Sequence, residues 1–230
     1  MPSRPSKQGL RSWINVLYED DQYIVFDKPA GLVVIPTPKR ESKTLVSIVN
    51  QQCVGQSDSS KLHPCHRIDR DTSGVIIFAK GKRNQKLMMD CFKNRAVEKK
   101  YIAFVHGILP SKSGEFRKSI KDFGHRKFQK NIPAIPAVTT YKVIEIRKDF
   151  SIVEVQPVTG RTNQIRIHFS QAKHPVVGDR KYAFARDYPL KFRRTALHAA
   201  QLEWTHPVSQ KKICVRSNMP KDMAEFANFN

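Results

Sequence analysis

Short apolar runs joined by turn residues, with few helical stretches between them, constrain the fold of this 230-residue chain most. "YIVFDKPAGLVVIP" opens with a strand at Tyr23, turns at Pro29-Ala30-Gly31 and continues in a second apolar strand to Ile35, so turn chemistry predicts a hairpin there. "VIIFAK", "KKYIAFVHG", "VTTYKVIEI", "FSIVEVQPV", "ALHAAQLEW" and "KKICVRS" read as further strands. Helices are predicted from Thr44 to Gln51, in "NQKLMMDCFKNR", and in "RTNQIRIHFSQA". In the second of these, Leu87, Met88, Cys91 and Phe92 share one face, and the Met pair reads as core. In the third, Thr162 is the expected N-cap, with Ile165, Phe169 and Ala172 at helical spacing. The polar "CVGQSDSSK" and the proline-broken, basic "KDFGHRKFQKNIPAIP" read as loops. Because hairpins dominate, the expected fold is α+β, a mixed, largely antiparallel sheet flanked by helices, without internal repeats or an obvious linker.

Charge narrows the partner. The chain carries 41 Lys and Arg against 20 Asp and Glu, a formal charge of +21. These cations run from end to end instead of gathering beside an apolar span, which favours nucleic acid over membrane. No stretch approaches the roughly 18 apolar residues of a spanning helix. Cys53, Cys65, Cys91 and Cys214 form no CxxC pair, against both a zinc ribbon and a disulfide framework, so a reducing, cytoplasmic setting is expected. The basic, acid-free "MPSRPSKQGLRSW" faintly resembles a transit peptide, but its two prolines oppose a long amphipathic helix; residues 1–16 read as a flexible leader and 17–230 as the folded domain.

The stretch richest in chemistry is "HPCHRIDRDTSG", His63 to Gly74. His63, Cys65 and His66 lack the second ligand pair of a zinc site, so no metal is expected. A Ser or Cys nucleophile needs a nearby base that one sequence does not locate. Asp71 would point away from Asp69 in an extended segment, against a glycosidase-like carboxylate pair. That leaves Asp69, between Arg67 and Arg70. It reads either as a salt-bridged turn residue or as a carboxylate that flanking guanidiniums favour in the anionic form a nucleophile needs.

"HRIDRDTSGVIIFAK" resembles the signature of RluA-type pseudouridine synthases, and "FDKPAGLVV", "EKKYIAFVHG", "TGRTNQIRIH", "HPVVGDRKY" and "LHAAQLEWTHP" match further family segments in order, from about Leu17 to Val215. The resemblance implies an enzyme that breaks the glycosidic bond of a uridine in RNA, turns the uracil and rejoins it through carbon, with no cofactor. It implies that Asp69 is the catalytic aspartate, Tyr101 the tyrosine that stacks on the target base, and Arg166 the arginine that pairs with the catalytic carboxylate. Arg67 takes the place of a side chain that fills the gap left by a flipped nucleotide. His66 matches a position that is structural or substrate-contacting, and Ile167 and Leu197 belong to the pocket wall or core. In one departure from the family pattern, Asn163 stands where His is usual, so no protonatable group is available there.

The family often carries an RNA-binding domain ahead of the catalytic one; here the first hairpin is expected almost at once, so the chain reads as the catalytic domain alone, monomeric. RNA grip is then expected from Arg161, at a helix start that suits an anion, and from basic stretches that interleave aromatics: "GHRKFQKNIPAIP", with Lys127 and Lys130, and "RKYAFARDYPLKFRR". Both also read as solvated loops. The expected substrate is a stem-loop of transfer or ribosomal RNA. A catalytically silent RNA-binding protein on the same fold and a metal-dependent nuclease are the competing readings.

Overall fold

The computed structural model describes residues 14–37, 41–51, 61–121, 133–183 and 190–230. They divide into two compact units, one of the described residues up to Val97 with Gln201–Asn218, the other of those from Glu98 to Ala200 with Met219–Asn230. Each unit builds its own antiparallel ladders around its own core, in keeping with a sheet made of hairpins.

In the first unit, β1 (Asn15–Glu19) pairs with β2 (Tyr23–Lys28), and β2 pairs with β4 (Ser73–Lys80). The three-residue β3 (Leu62–Pro64) joins β4. Elsewhere Gln201–Thr205, the end of β11 (Leu197–Thr205), pairs with β12 (Lys212–Arg216). β2 and β4 are apolar on both faces because both faces are covered. Tyr23, Val25, Val75 and Ile77 pack with Met88 of α2 (Lys82–Lys93), with Trp204 and with Val215. The helix-spaced face of α2 is real, but it buries one methionine of the pair: Met88 is fully buried whereas Met89 is 49% exposed.

The expected hairpin after Tyr23 does not form. Gly31 makes its turn at φ +84°, yet Leu32–Ile35 joins no strand. The carbonyls of Val33 and Val34 instead accept the amides of Leu45 and Val46 at 2.8 and 3.1 Å, at the start of α1 (Leu45–Gln51). β2 already has a neighbour on each edge, one of them β1, which begins at Asn15, inside the stretch expected to be leader. Thr44 and Ser47 cap α1 reciprocally: Ser47 N donates to Thr44 Oγ1 at 3.1 Å and Thr44 N to Ser47 Oγ at 2.9 Å.

In the second unit, β5 (Val97–His106), β10 (Phe150–Pro157), β9 (Val138–Ile146) and β6 (Ser113–Arg117) pair in that order. A two-residue ladder joins β7 (Ile120–Lys121) to β8 (Ala134–Ile135). Phe104, Phe150 and Val153 form the core with Phe169 of α3 (Gln164–Gln171) and Met223 of α4 (Lys221–Phe229). β6 is absent from the sequence reading because "SGEFR" is polar and contains glycine. Gly114 is required there: a Cβ would lie 2.7 Å from Tyr141 Oη, so only glycine lets that ring lie across the strand.

At the end of β5, His106 is 3% exposed, and burial pushes its pKa down to about 4. The unfolded chain therefore binds the extra proton first as pH falls. Stability is expected to be full above about pH 6.5 and to drop by roughly 3 kcal/mol between there and about pH 4. Urea unfolding of wild type and His106→Gln across that range checks this, the variant showing the shallower decline.

Candidate active site

Asp69 sits half-buried at the head of the turn into β4, where Thr72 N donates to the Asp69 carbonyl at 3.2 Å. The turn is held from below by Lys28, the last residue of β2, which is fully buried. Its ammonium donates to the carbonyls of Pro29, Leu32 and Arg70 at 2.9, 2.8 and 3.0 Å. Gly31 N donates to Arg70 O at 2.8 Å, and Arg70 Nε returns a bond to Gly31 O at 3.1 Å. A buried cation thus fastens the Pro29–Leu32 turn to the backbone beside Asp69. Charge-assisted bonds to three carbonyls fix that backbone without using the Asp69 side chain.

Replacing Lys28 with Met removes the donor that ties the carbonyls of Pro29, Leu32 and Arg70 together. We expect a loss of about 1–3 kcal/mol in urea unfolding. At temperatures where the variant is fully folded, catalysis through Asp69 is expected to fall at least about tenfold, because a small misplacement of a reacting group is costly.

Arg70 turns its guanidinium to Gly31 O, and Arg67 is exposed. His66 accepts the Ile77 amide at Nε2, 3.2 Å away, and its ring lies 4.6 Å from that of Phe92. These contacts build His66 into the scaffold of its unit.

Tyr101, in the second unit, lies on β5 opposite Val155 and packs half-buried against the core. Arg166 projects from α3 into a three-sided clamp. Its Nε and Nη2 donate to Asp179 at 2.6 and 2.8 Å, and Nη1 donates to Asn163 Oδ1 at 2.7 Å. The guanidinium carbon stands 5.0 Å from the centre of the Tyr182 ring. Asp179 is fully enclosed and also accepts the amides of Lys181 and Tyr182 at 2.9 and 3.1 Å. The turn that carries it requires Gly178, where a Cβ would fall 2.0 Å from Arg194 O.

Asn163, not Thr162, is the N-cap of α3, and it adopts the left-handed conformation at φ 55°, which Asn tolerates better than most residues. The Asn163 side chain makes no cap bond to α3; Gln164 instead braces the loop ahead of the helix, its Oε1 accepting Arg161 N at 3.0 Å and Thr159 Oγ1 at 2.7 Å. Asn163 keeps a neutral double role in place of the family's His, since its amide also donates to Tyr182 Oη at 3.2 Å. Arg161 is half-buried beside it. Lys127 and Lys130 lie outside the described residues, as do "CVGQSDSS" and much of both basic stretches. Ile167 is half-buried and Leu197 is 4% exposed in the core. Among the described residues, no group of three or more His, Cys, Asp or Glu is placed to hold a metal, and no helix is long and apolar enough to cross a membrane.

Sequence reasoning named no role for Lys28, Asp179 or Tyr182. A signal for two of them was on view, charged residues set against short apolar runs, in "FDKPAGLVV" and "HPVVGDRKY".

Comparison with known proteins bears on the fold and the family. A family model described as RNA pseudouridylate synthase matches residues 22–171. The chain is 34% identical over 220 residues to an uncharacterized RNA pseudouridine synthase, YlyB, of Bacillus subtilis, covering 92% of this chain and 71% of that one. It is 33% identical over 232 residues to ribosomal large subunit pseudouridine synthase D of Xanthomonas campestris, covering 91% of this chain and 67% of that one. Among solved structures, human RNA pseudouridylate synthase domain containing 4 aligns over 93% of this chain and 92% of its own, with a TM-score of 0.76 at 24% identity, a likeness of fold.

Proposed function

The chain belongs to the RNA pseudouridylate synthase family, and on that premise we propose that it isomerises uridine in a ribosomal RNA stem-loop with Asp69 as nucleophile. The C1′–N1 bond of the uridine breaks as Asp69 attacks, the uracil turns, a C1′–C5 bond forms as the bond to Asp69 is released, the proton on C5 leaves to solvent, and N1 takes up a proton. Asp69 attacks the nucleotide, Tyr101 stacks on the uracil, and Arg166 supplies positive charge to the reacting carboxylate. Arg67, exposed beside Asp69, fills the gap left by the flipped uridine, and Arg161, Lys127 and Lys130 hold phosphates. His66 serves the scaffold. No cofactor takes part, and the enzyme works as a cytoplasmic monomer whose Cys65, Cys91 and Cys214 are free thiols.

The observation that supports this reading is the turn at Asp69, whose backbone is fastened by Lys28 and Arg70 while the residue itself stays half-buried. Relatives named for the large ribosomal subunit favour ribosomal over transfer RNA as substrate. Release of tritium from RNA labelled at C5 of uracil tests it. Ribosomal RNA, transfer RNA and isolated synthetic hairpins are compared, with strand integrity followed on gels. Release without scission is expected from ribosomal RNA and from one of its hairpins. Release from transfer RNA alone would move the substrate, and binding with no release from any RNA would leave an RNA-binding protein on this fold.

A further inference from the structure

Lys99 stands two residues before Tyr101 on β5, so the pleat turns both side chains to one face of the strand. Lys100 points the other way and is satisfied there, 3.4 Å from Glu154. Lys99 has no such counter-charge: among the described residues no hydrogen bond or ion pair engages its ammonium. It is half-buried, and that burial lowers its pKa, since a cation withdrawn from water without a partner is disfavoured.

The ammonium reaches the loop that leads into α3. A Cβ on Gly160 would lie 3.7 Å from Lys99 Nζ, so glycine leaves the charge uncovered where a methyl group would sit against it. The next residue, Arg161, repeats the pattern. Its backbone amide is used by Gln164, while its side-chain Nε is buried with no hydrogen-bond partner among the described residues. A lysine ammonium beside Gly160 and a buried, unbonded guanidinium Nε on the next residue form an arrangement that an anion would stabilise, and among the described residues no carboxylate supplies one.

We propose that Lys99 and Arg161 form a phosphate-binding site around Gly160, on the Tyr101 face of β5, that takes one backbone phosphate of the RNA substrate. The inference rests on the RNA-modifying function proposed above and adds a contact to it. Placing a phosphate beside the tyrosine that stacks on the base fixes the register of the strand, so that one nucleotide is offered to the site. The site carries no sequence information, because every nucleotide has the same phosphate.

The test is binding of a fluorescein-labelled ten-nucleotide oligouridylate, followed by anisotropy as salt is raised. Lys99→Met is expected to weaken binding roughly five- to tenfold at 50 mM salt and to lower the slope of log K against log salt by about 0.7, the value of one phosphate contact on a single strand. Lys99→Arg should bind within about twofold of wild type, because charge and reach are kept. Lys100→Met, on the opposite face, is the control. An unpaired buried cation contributes no stability, so Lys99→Met is expected to unfold at the wild-type urea concentration or above it, whereas loss of a structural contact would lower that midpoint.

A Lys99→Met slope equal to that of wild type or of Lys100→Met overturns the proposal, as does a lowered unfolding midpoint with no change of slope. Tritium release by the wild type is measured in parallel. Lys99-dependent binding without release would support the phosphate site and remove the synthase reading instead, so the two failures are distinguishable.

Discussion

Asp69→Asn is expected to lower tritium release from C5-labelled RNA by about 10²-fold or more while leaving folding and RNA binding nearly unchanged. The reasons lie on the two sides of the residue. Asn has the size and shape of Asp but lacks the anionic oxygen that attacks the nucleotide. The turn that carries it is held by the backbone: Thr72 N binds the Asp69 carbonyl, and Lys28 Nζ and Gly31 N both bind the carbonyl of Arg70. None of those bonds uses the Asp69 carboxylate, so the turn should survive its replacement. Tritium release, oligouridylate affinity and urea unfolding are measured on the same preparation. Activity within about tenfold of wild type, with affinity intact, would remove Asp69 from the role of nucleophile and return it to the salt-bridged turn residue of the alternative reading.

Asp179→Ala should destabilise the second unit by about 3–5 kcal/mol, the usual result of removing one partner of a buried ion pair. The carboxylate is fully enclosed and Arg166 is only 13% exposed, so neither solvent nor a neighbouring side chain can take over the four bonds it accepts. Arg166 would keep Asn163 and the Tyr182 face but lose the fork that sets its angle. Activity should therefore drop beyond the effect on folding. A cycle with Arg166→Met separates the two contributions. If the pair is the cause, the double variant is more stable than Asp179→Ala alone, because the uncompensated guanidinium has gone. A loss below about 1 kcal/mol for Asp179→Ala would show that the clamp does not hold Arg166, and additive losses in the cycle would show that the two residues act separately.

The strands "VIIFAK", "VTTYKVIEI" and "FSIVEVQPV" and all three predicted helices were legible because periodicity and turn residues act within a few residues of chain. The roles proposed for Asp69, Tyr101 and Arg166 come from resemblance to a family, which local physics alone did not supply: on spacing, Asp69 read equally well as an ordinary turn residue. What misled the reading was competition between partners. Leu32–Ile35 has the composition of a strand, but β1 and β4 hold both edges of β2, and the start of α1 takes the Val33 and Val34 carbonyls. Only the tertiary structure decided which charges are buried and against what. Lys28 meets the Arg70 carbonyl across 42 positions, Arg166 meets Asp179 across 13, and Lys99 reaches Gly160 from another element altogether. Such contacts depend on strand register and helix docking, where a shift of one residue turns every side chain to the opposite face. The residue types that bear charge are therefore written in the chain, whereas the partners that fix or expose each charge follow from the packing of elements distant in sequence.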